Sequence, residues 1–270
     1  MVMEILMKGA LTYSRTGRQA FLNQLKSLQS VSGIILPPFL IPFLFLQPVA
    51  VMISCVDSRV FPSQFLSVQP GQLYIVRNAG NFVPQANSSD QECNVLGTLE
   101  LACIRNKVND IVICGHSDCK AMHLLDSMGP SIMNDKLKTS QMTPLQQWAA
   151  KNGMEGFRKY ERKPNLLEFP VTDTLTLKTP LRLKLTALKD LSDVDRLSQI
   201  NVVQQMSHVY SHPLLTERFQ SGTLHVHGIW YHVHEAQLHL YSRPRQSFVS
   251  ITEVTFPELV AELNCGSRHS

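Results

Sequence analysis

No stretch of Lys and Arg in this 270-residue chain is dense enough to make an electrostatic footprint, and the formal net charge of +4 is spread thinly. A nucleic-acid partner is therefore set aside. No apolar run reaches the roughly 20 residues that a membrane-spanning helix needs. The longest candidate, IILPPFLIPFLFL over 34–46, carries Pro37, Pro38 and Pro42, which would break so short a helix; no membrane span is expected. Six cysteines are too few for a disulfide scaffold in a chain of this size. Cys103 and Cys114 lie inside apolar stretches and read as reduced core residues, Cys93 as a loop thiol and Cys265 as a tail cysteine. No C-x-x-C pair occurs, which argues against thiol redox chemistry. The start lacks the basic, apolar and small-residue order of a secretory signal, and neither an internal repeat nor a low-complexity tract is found.

What remains is an ordinary globular balance, 44% hydrophobic and 17% charged, in a chain long enough to bury a core unaided. The first fifty residues set Lys8, Arg15, Arg18 and Lys26 against a single acid, Glu4. Acid-poor, Arg- and Ser-containing starts resemble mitochondrial targeting segments, so a mitochondrial location is expected; the alternative is an amphipathic N-terminal helix on a cytoplasmic protein.

From Pro48 the pattern turns regular. VAVMIS (49–54), LYIV (73–76) and DIVIC (110–114) are continuous apolar runs, as expected of strands buried on both faces. VLGTLELACIRN carries apolar residues at helical spacing, HSDCKAMHLLDSM reads as the start of another helix, and RLSQINVVQQMSHV (196–209) as an amphipathic one. Strands alternating with helices predict an α/β fold around a parallel sheet, with its binding site at the carboxyl ends of the strands. TLHVHGIWYHVHEAQLHLYS (223–242) predicts two strands around a turn near Glu235. Its histidines at 225, 227, 232, 234 and 239 follow strand alternation and are not assigned to a second metal.

Two motifs stand at strand ends: Cys55-Val56-Asp57-Ser58-Arg59 and His116-Ser117-Asp118-Cys119. His116 and Cys119, three apart on the first turn of a helix, would point the same way. Cys55 on the neighbouring strand end would complete a soft N/S set suited to zinc, one ion per chain, leaving one tetrahedral position open as catalytic sites do.

These residues resemble the β-carbonic anhydrases, notably the form found in animals. CVDSRVFPSQFLSVQPGQLYIVRNAGN (55–81) looks like the family's first block and LELACIRNKVNDIVICGHSDCKAM (99–122) like its second, and the likeness runs over about 48–255. The resemblance implies about four parallel strands plus an antiparallel edge strand, flanked by helices. It implies an N-terminal arm over 1–47 that includes the atypical apolar insert, a catalytic domain over 48–262 and a tail over 263–270. Cys55, His116 and Cys119 would bind zinc, and a zinc-bound hydroxide would reversibly convert carbon dioxide to bicarbonate and a proton. Asp57 and Arg59 would form the dyad beside the open position, the arginine keeping the aspartate ionised and aimed. In some members that aspartate swings onto the metal when the pair breaks. Tyr74 would line the carbon dioxide pocket across the interface of a homodimer, or of a multiple of dimers. On the residues alone, Arg77 is expected to anchor the Asn78–Asn81 turn, the alternative being an anion-binding role. The alternatives are a related carbonyl sulfide or carbon disulfide hydrolase, and a non-catalytic zinc protein with Asp57 as permanent fourth ligand.

The chain also departs from the family pattern. Leu46 stands nine residues before Cys55 where a glutamine is common, with Gln47 one place late. Leu101 follows Glu100 where a tyrosine is common, and Lys120 stands where many members have glycine. These positions touch the substrate pocket and proton path, not the metal.

Overall fold

The computed structural model describes residues 3, 7–8, 11–29, 48–86, 93–162, 164–171 and 179–266. The apolar insert 34–46 and the Leu46–Gln47 departure lie outside them. The described part of the N-terminal arm carries α1 (Arg18–Gln29) behind a single π-turn, Tyr13–Gly17.

Four parallel strands form the heart of the sheet: β1 (Ala50–Cys55), β2 (Leu73–Asn78), β3 (Asp110–His116) and β6 (His225–His232). The order is β2-β1-β3-β6-β7-β8, with β7 (Gln237–Ser242) and β8 (Ser247–Ser250) antiparallel. The expected antiparallel edge is thus two strands rather than one. A separate antiparallel pair, β4 (Leu166–Phe169) and β5 (Leu181–Lys184), completes the strands. The helices are α2 (Pro62–Phe65), α3 (Asn94–Leu99), α4 (Lys120–Met133), α5 (Pro144–Glu161), α6 (Asp193–Tyr210), α7 (Thr216–Gln220) and α8 (Phe256–Gly266). From Glu100 to Arg105 the α3 segment continues as a π-helix.

β1 sits between β2 and β3 with all six residues buried, which is why its sequence is apolar throughout instead of alternating. Val51, Ile53 and Cys55 face the larger hydrophobic layer, packed with Leu99, Leu125, Phe157 and Val202. Met52 faces a smaller layer with Cys114 and Ile229, backed by Phe65 of α2 and by Leu66 just after it. Cys103 and Cys114 are buried, as expected, and burial pushes both thiols up, to about 11 and about 12. Cys93 is the residue before α3 and is half-buried.

α6 differs from the expectation. It is not an amphipathic surface helix: every residue from Leu197 to Tyr210 is buried. Its polar residues are enclosed because they are spent on the backbone of other segments. Ser198 Oγ donates to the His116 carbonyl at 2.7 Å and Asn201 Nδ2 to the Gly80 carbonyl at 3.0 Å. Gln205 Oε1 accepts from Val83 N at 2.7 Å, and His208 Nδ1 lies 2.8 Å from the Val83 carbonyl. Burying a polar group is costly unless it is bonded in this way. Here the bonds tie α6 to the loop after β2 and to the end of β3.

Candidate metal centre

Three chain segments meet at the carboxyl edge of the sheet. Cys55 ends β1, His116 ends β3, and Cys119 is the residue before α4. The H-S-D-C spacing therefore works differently from the expected helical one. A tight turn reverses the chain between strand and helix, with Asp118 in the left-handed region at φ 50°. Aspartate is among the few non-glycine residues that adopt it readily. Gly115, just before, has no room for a side chain: a Cβ would lie 2.4 Å from Val202 Cγ2 on α6.

One donor atom from each of Cys55, His116 and Cys119 lies within 4.8 Å of the others, and all three residues are buried. The two sulfurs are 3.9 Å apart. Sulfurs about 2.3 Å from a zinc ion at a tetrahedral angle would be about 3.8 Å apart, so the spacing fits one ion. The imidazole fits as well. Its Nδ1 lies 2.8 Å from the Ser117 carbonyl, which only accepts, so Nδ1 carries the proton and Nε2 keeps its lone pair. That Nε2 is buried without a hydrogen-bond partner, a costly state that a ligated ion would remove. Cys55 Sγ also accepts from Gly80 N at 3.5 Å. The contact between the two sulfurs lowers the Cys55 thiol, and the same pairing together with burial raises Cys119. The pair releases one proton readily and holds the second until a cation compensates the charge.

Asp57 and Arg59 lie beside this cluster. Arg59 Nε donates to Asp57 Oδ1 at 3.0 Å and Nη2 to Oδ2 at 2.8 Å, a two-pronged pair, while Arg59 N adds a third bond at 2.9 Å. These bonds hold the Asp57 carboxyl down to about 2 and raise Arg59. Asp57 is committed to the guanidinium and is not part of the three-residue cluster.

Tyr74 is half-buried in the first half of the edge strand β2, opposite Val51, while Cys55 pairs with Asn78 at the far end. Four residues of strand separate the two, roughly 13 Å, so within one chain Tyr74 is not brought to the cluster. Arg77 anchors a different loop from the expected turn: its Nε donates to the Cys55 carbonyl at 2.9 Å and its Nη2 to the Asp57 carbonyl at 2.7 Å. Among the described residues, the histidines of β6 and β7 form no further cluster of three metal-binding side chains. His227 instead pairs with Asp110 at 2.8 Å.

Sequence reasoning missed the supports. Ser198 holds the His116 carbonyl, Gly80 N donates to the Cys55 sulfur, and Asn201 in turn holds the Gly80 carbonyl. Asp118, inside the H-S-D-C motif, is a further support that spacing does not reveal: Arg59 Nη1 donates to its Oδ2 at 2.8 Å.

Residues 50–238 match the family model described as carbonic anhydrase. "Beta carbonic anhydrase 1" of Caenorhabditis briggsae is 35% identical over 225 residues, covering 80% of this chain and 81% of that protein. "Beta carbonic anhydrase 1" of Caenorhabditis elegans is 31% identical over 271 residues, covering 97% and 93%. The solved structure of the β-carbonic anhydrase CcaA superposes with a TM-score of 0.66 at 20% identity, covering 93% of this chain and 92% of that one; at that identity the likeness is one of fold. With the family match spanning most of the chain and landing on the strands that end in Cys55 and His116, this protein belongs to the β-carbonic anhydrase family.

Proposed function

We propose that this protein catalyses the reversible hydration of carbon dioxide to bicarbonate and a proton, with Cys55, His116 and Cys119 holding one zinc ion and the Asp57–Arg59 dyad assisting. The observation that carries the reading is the separation of the two groups: three buried soft donors converge, while the nearest carboxylate is held off by Arg59. A zinc protein with a purely structural site would need a fourth permanent ligand, and the one candidate for it is engaged elsewhere.

Zinc bound at three protein ligands would supply a water whose pKa falls toward neutrality. The chain's own residues account for the rest. Two thiolates neutralise the ion's charge, and His116 is fixed in the ligating tautomer by Ser117. Asp57, held down to about 2, stays ionised throughout the neutral range. It therefore cannot donate a proton there and acts as an acceptor, orienting the attacking oxygen. Arg59 occupies both acceptor positions of Asp57 Oδ1, through its N–H and Nε, and one of Oδ2, leaving the second lone pair of Oδ2 for the substrate side. The intact pair corresponds to the open arrangement of the site.

The assembly expected is a homodimer or a multiple of dimers. Support comes from β2, an edge strand carrying Tyr74, with Ile75 36% exposed. A second copy meeting that edge would bring Tyr74 to the carbon dioxide pocket of its partner. Within the chain we assign 48–262 to the catalytic domain, 1–47 to an arm and 263–270 to a tail. Among the described residues no helix is long and apolar enough to cross a membrane. The acid-poor start supports a mitochondrial location over a cytoplasmic one.

The deciding experiment is a stopped-flow carbon dioxide hydration assay on metal-quantified protein, with and without residues 34–46. Hydration that scales with bound zinc supports the proposal. Zinc-loaded protein with no hydration from neutral to alkaline pH would overturn it.

A further inference from the structure

Arg59 is gripped along two different edges of its guanidinium. The Nε–Nη2 edge faces Asp57. The Nη1–Nη2 edge faces Asp118, with Nη1 donating to Oδ2 at 2.8 Å and Nη2 to the Asp118 carbonyl at 3.0 Å. The two acids therefore do not compete for the same donors; a planar fork serves both. Asp118 is itself fixed. Its left-handed backbone is pinned by its N–H donating to Asp195 Oδ1 at the start of α6, at 2.7 Å. Its second oxygen, Oδ1, lies 2.8 Å from His123 Nε2 and 3.2 Å from Lys120 Nζ. Lys120, where many relatives carry glycine, thus helps to offset the second negative charge on the arginine.

We propose that Asp118 is a positioning residue for the dyad: by holding the outer edge of Arg59 it keeps the guanidinium clamped on Asp57, and so keeps Asp57 away from the fourth position at the metal. The inference rests on the Asp57–Arg59 reading above. Two of the four side-chain bonds made by Arg59 end on Asp118. Arg59 is about a third exposed, so without the outer anchor it has solvent to turn into, and Asp57 loses its clamp.

The test uses the zinc- and cobalt-loaded full chain with Asp118→Asn, which keeps the left-handed turn and an acceptor but not the charge. Asp118→Gly tolerates the same turn and removes the side chain altogether. The visible spectrum of the cobalt form, with and without azide, reports whether the fourth position is open to an exogenous anion. The expected result is an affinity for azide and a kcat/KM both lowered about tenfold in Asp118→Gly, the size of one charged hydrogen bond, with Asp118→Asn in between. Metal content should be unchanged. Adding Asp57→Asn to Asp118→Gly should restore azide binding, because the group that closes the site has been neutralised; a merely structural role for Asp118 would not give that recovery. Wild-type azide affinity and kcat/KM in Asp118→Gly, or no recovery in the double variant, would overturn the proposal. If Asp57→Asn alone keeps full hydration activity, it is the dyad reading that fails instead.

Discussion

Replacing Asp57 by Asn changes one atom and removes one hydrogen bond. In the native pair Asp57 accepts three bonds from Arg59, at 2.9, 3.0 and 2.8 Å. Asparagine Oδ1 can still accept from Arg59 N and Nε, but its Nδ2 would face Arg59 Nη2, donor against donor. One charge-assisted bond is lost, worth about 1.5–3 kcal/mol in a buried setting. Arg59 is 34% exposed, and water screens the loss to about 1–2 kcal/mol. For a chain of this size that is a fall in Tm of roughly 2–4 °C, readable by calorimetry. The catalytic effect should be much larger. A positioned proton acceptor contributes about 10²–10⁴-fold, so kcat for hydration should drop by that factor in a stopped-flow indicator assay. Zinc should stay at one per chain, because Asp57 is not among the three donors. A zinc-loaded Asp57→Asn protein hydrating carbon dioxide at the native rate would refute the dyad mechanism. Loss of zinc together with activity would refute the separation of metal and dyad roles.

Other consequences are open to measurement. His116→Ala should abolish stoichiometric zinc binding in metal analysis, since two sulfurs alone leave the ion under-coordinated; a retained ion would contradict the assigned ligands. Stripping the metal from the wild type with a chelator should lower Tm, because it leaves two buried thiols 3.9 Å apart and an orphaned imidazole nitrogen, and added zinc should restore it. Gly115→Ala places a methyl 2.4 Å from Val202 Cγ2 and should cost about 1–3 kcal/mol by overpacking, partly recovered by adding Val202→Ala in the same denaturation series. Glu155 is held down to about 2 by His208, whose Nε2 lies 3.6 Å from Oε2, and by its bond to Lys159 Nζ. A lowered carboxyl adds stability that is present above its ordinary value of 4.5 and is lost as pH falls through about 2. The Tm of the wild type should accordingly approach that of Glu155→Gln between pH 4.5 and 2; parallel curves would dismiss these contacts.

The amino-acid sequence by itself determined the sheet and the identity of the donors. Continuous apolar runs ending at Cys55 and near His116 can only be strands covered on both faces, and parallel strands carry their sites at their carboxyl ends. The β6–β7 hairpin was legible for the same reason, its alternation breaking at the turn before Gln237. Local patterns of this kind report on neighbours a few residues away. Tertiary structure decided what depends on distant segments. The His116–Cys119 pair meets through a left-handed turn, held from α6 by Asp195, where spacing alone suggested a helical face. α6 looked amphipathic because periodicity cannot tell a polar side chain in water from one bonded to a buried backbone group, and Ser198, Asn201 and Gln205 are of the second kind. Asp118 likewise gains its meaning only when the fold brings it, 59 positions along the chain, to the free edge of Arg59. A hydrogen bond between remote segments leaves no period in the sequence; it exists only once the whole chain has closed around it.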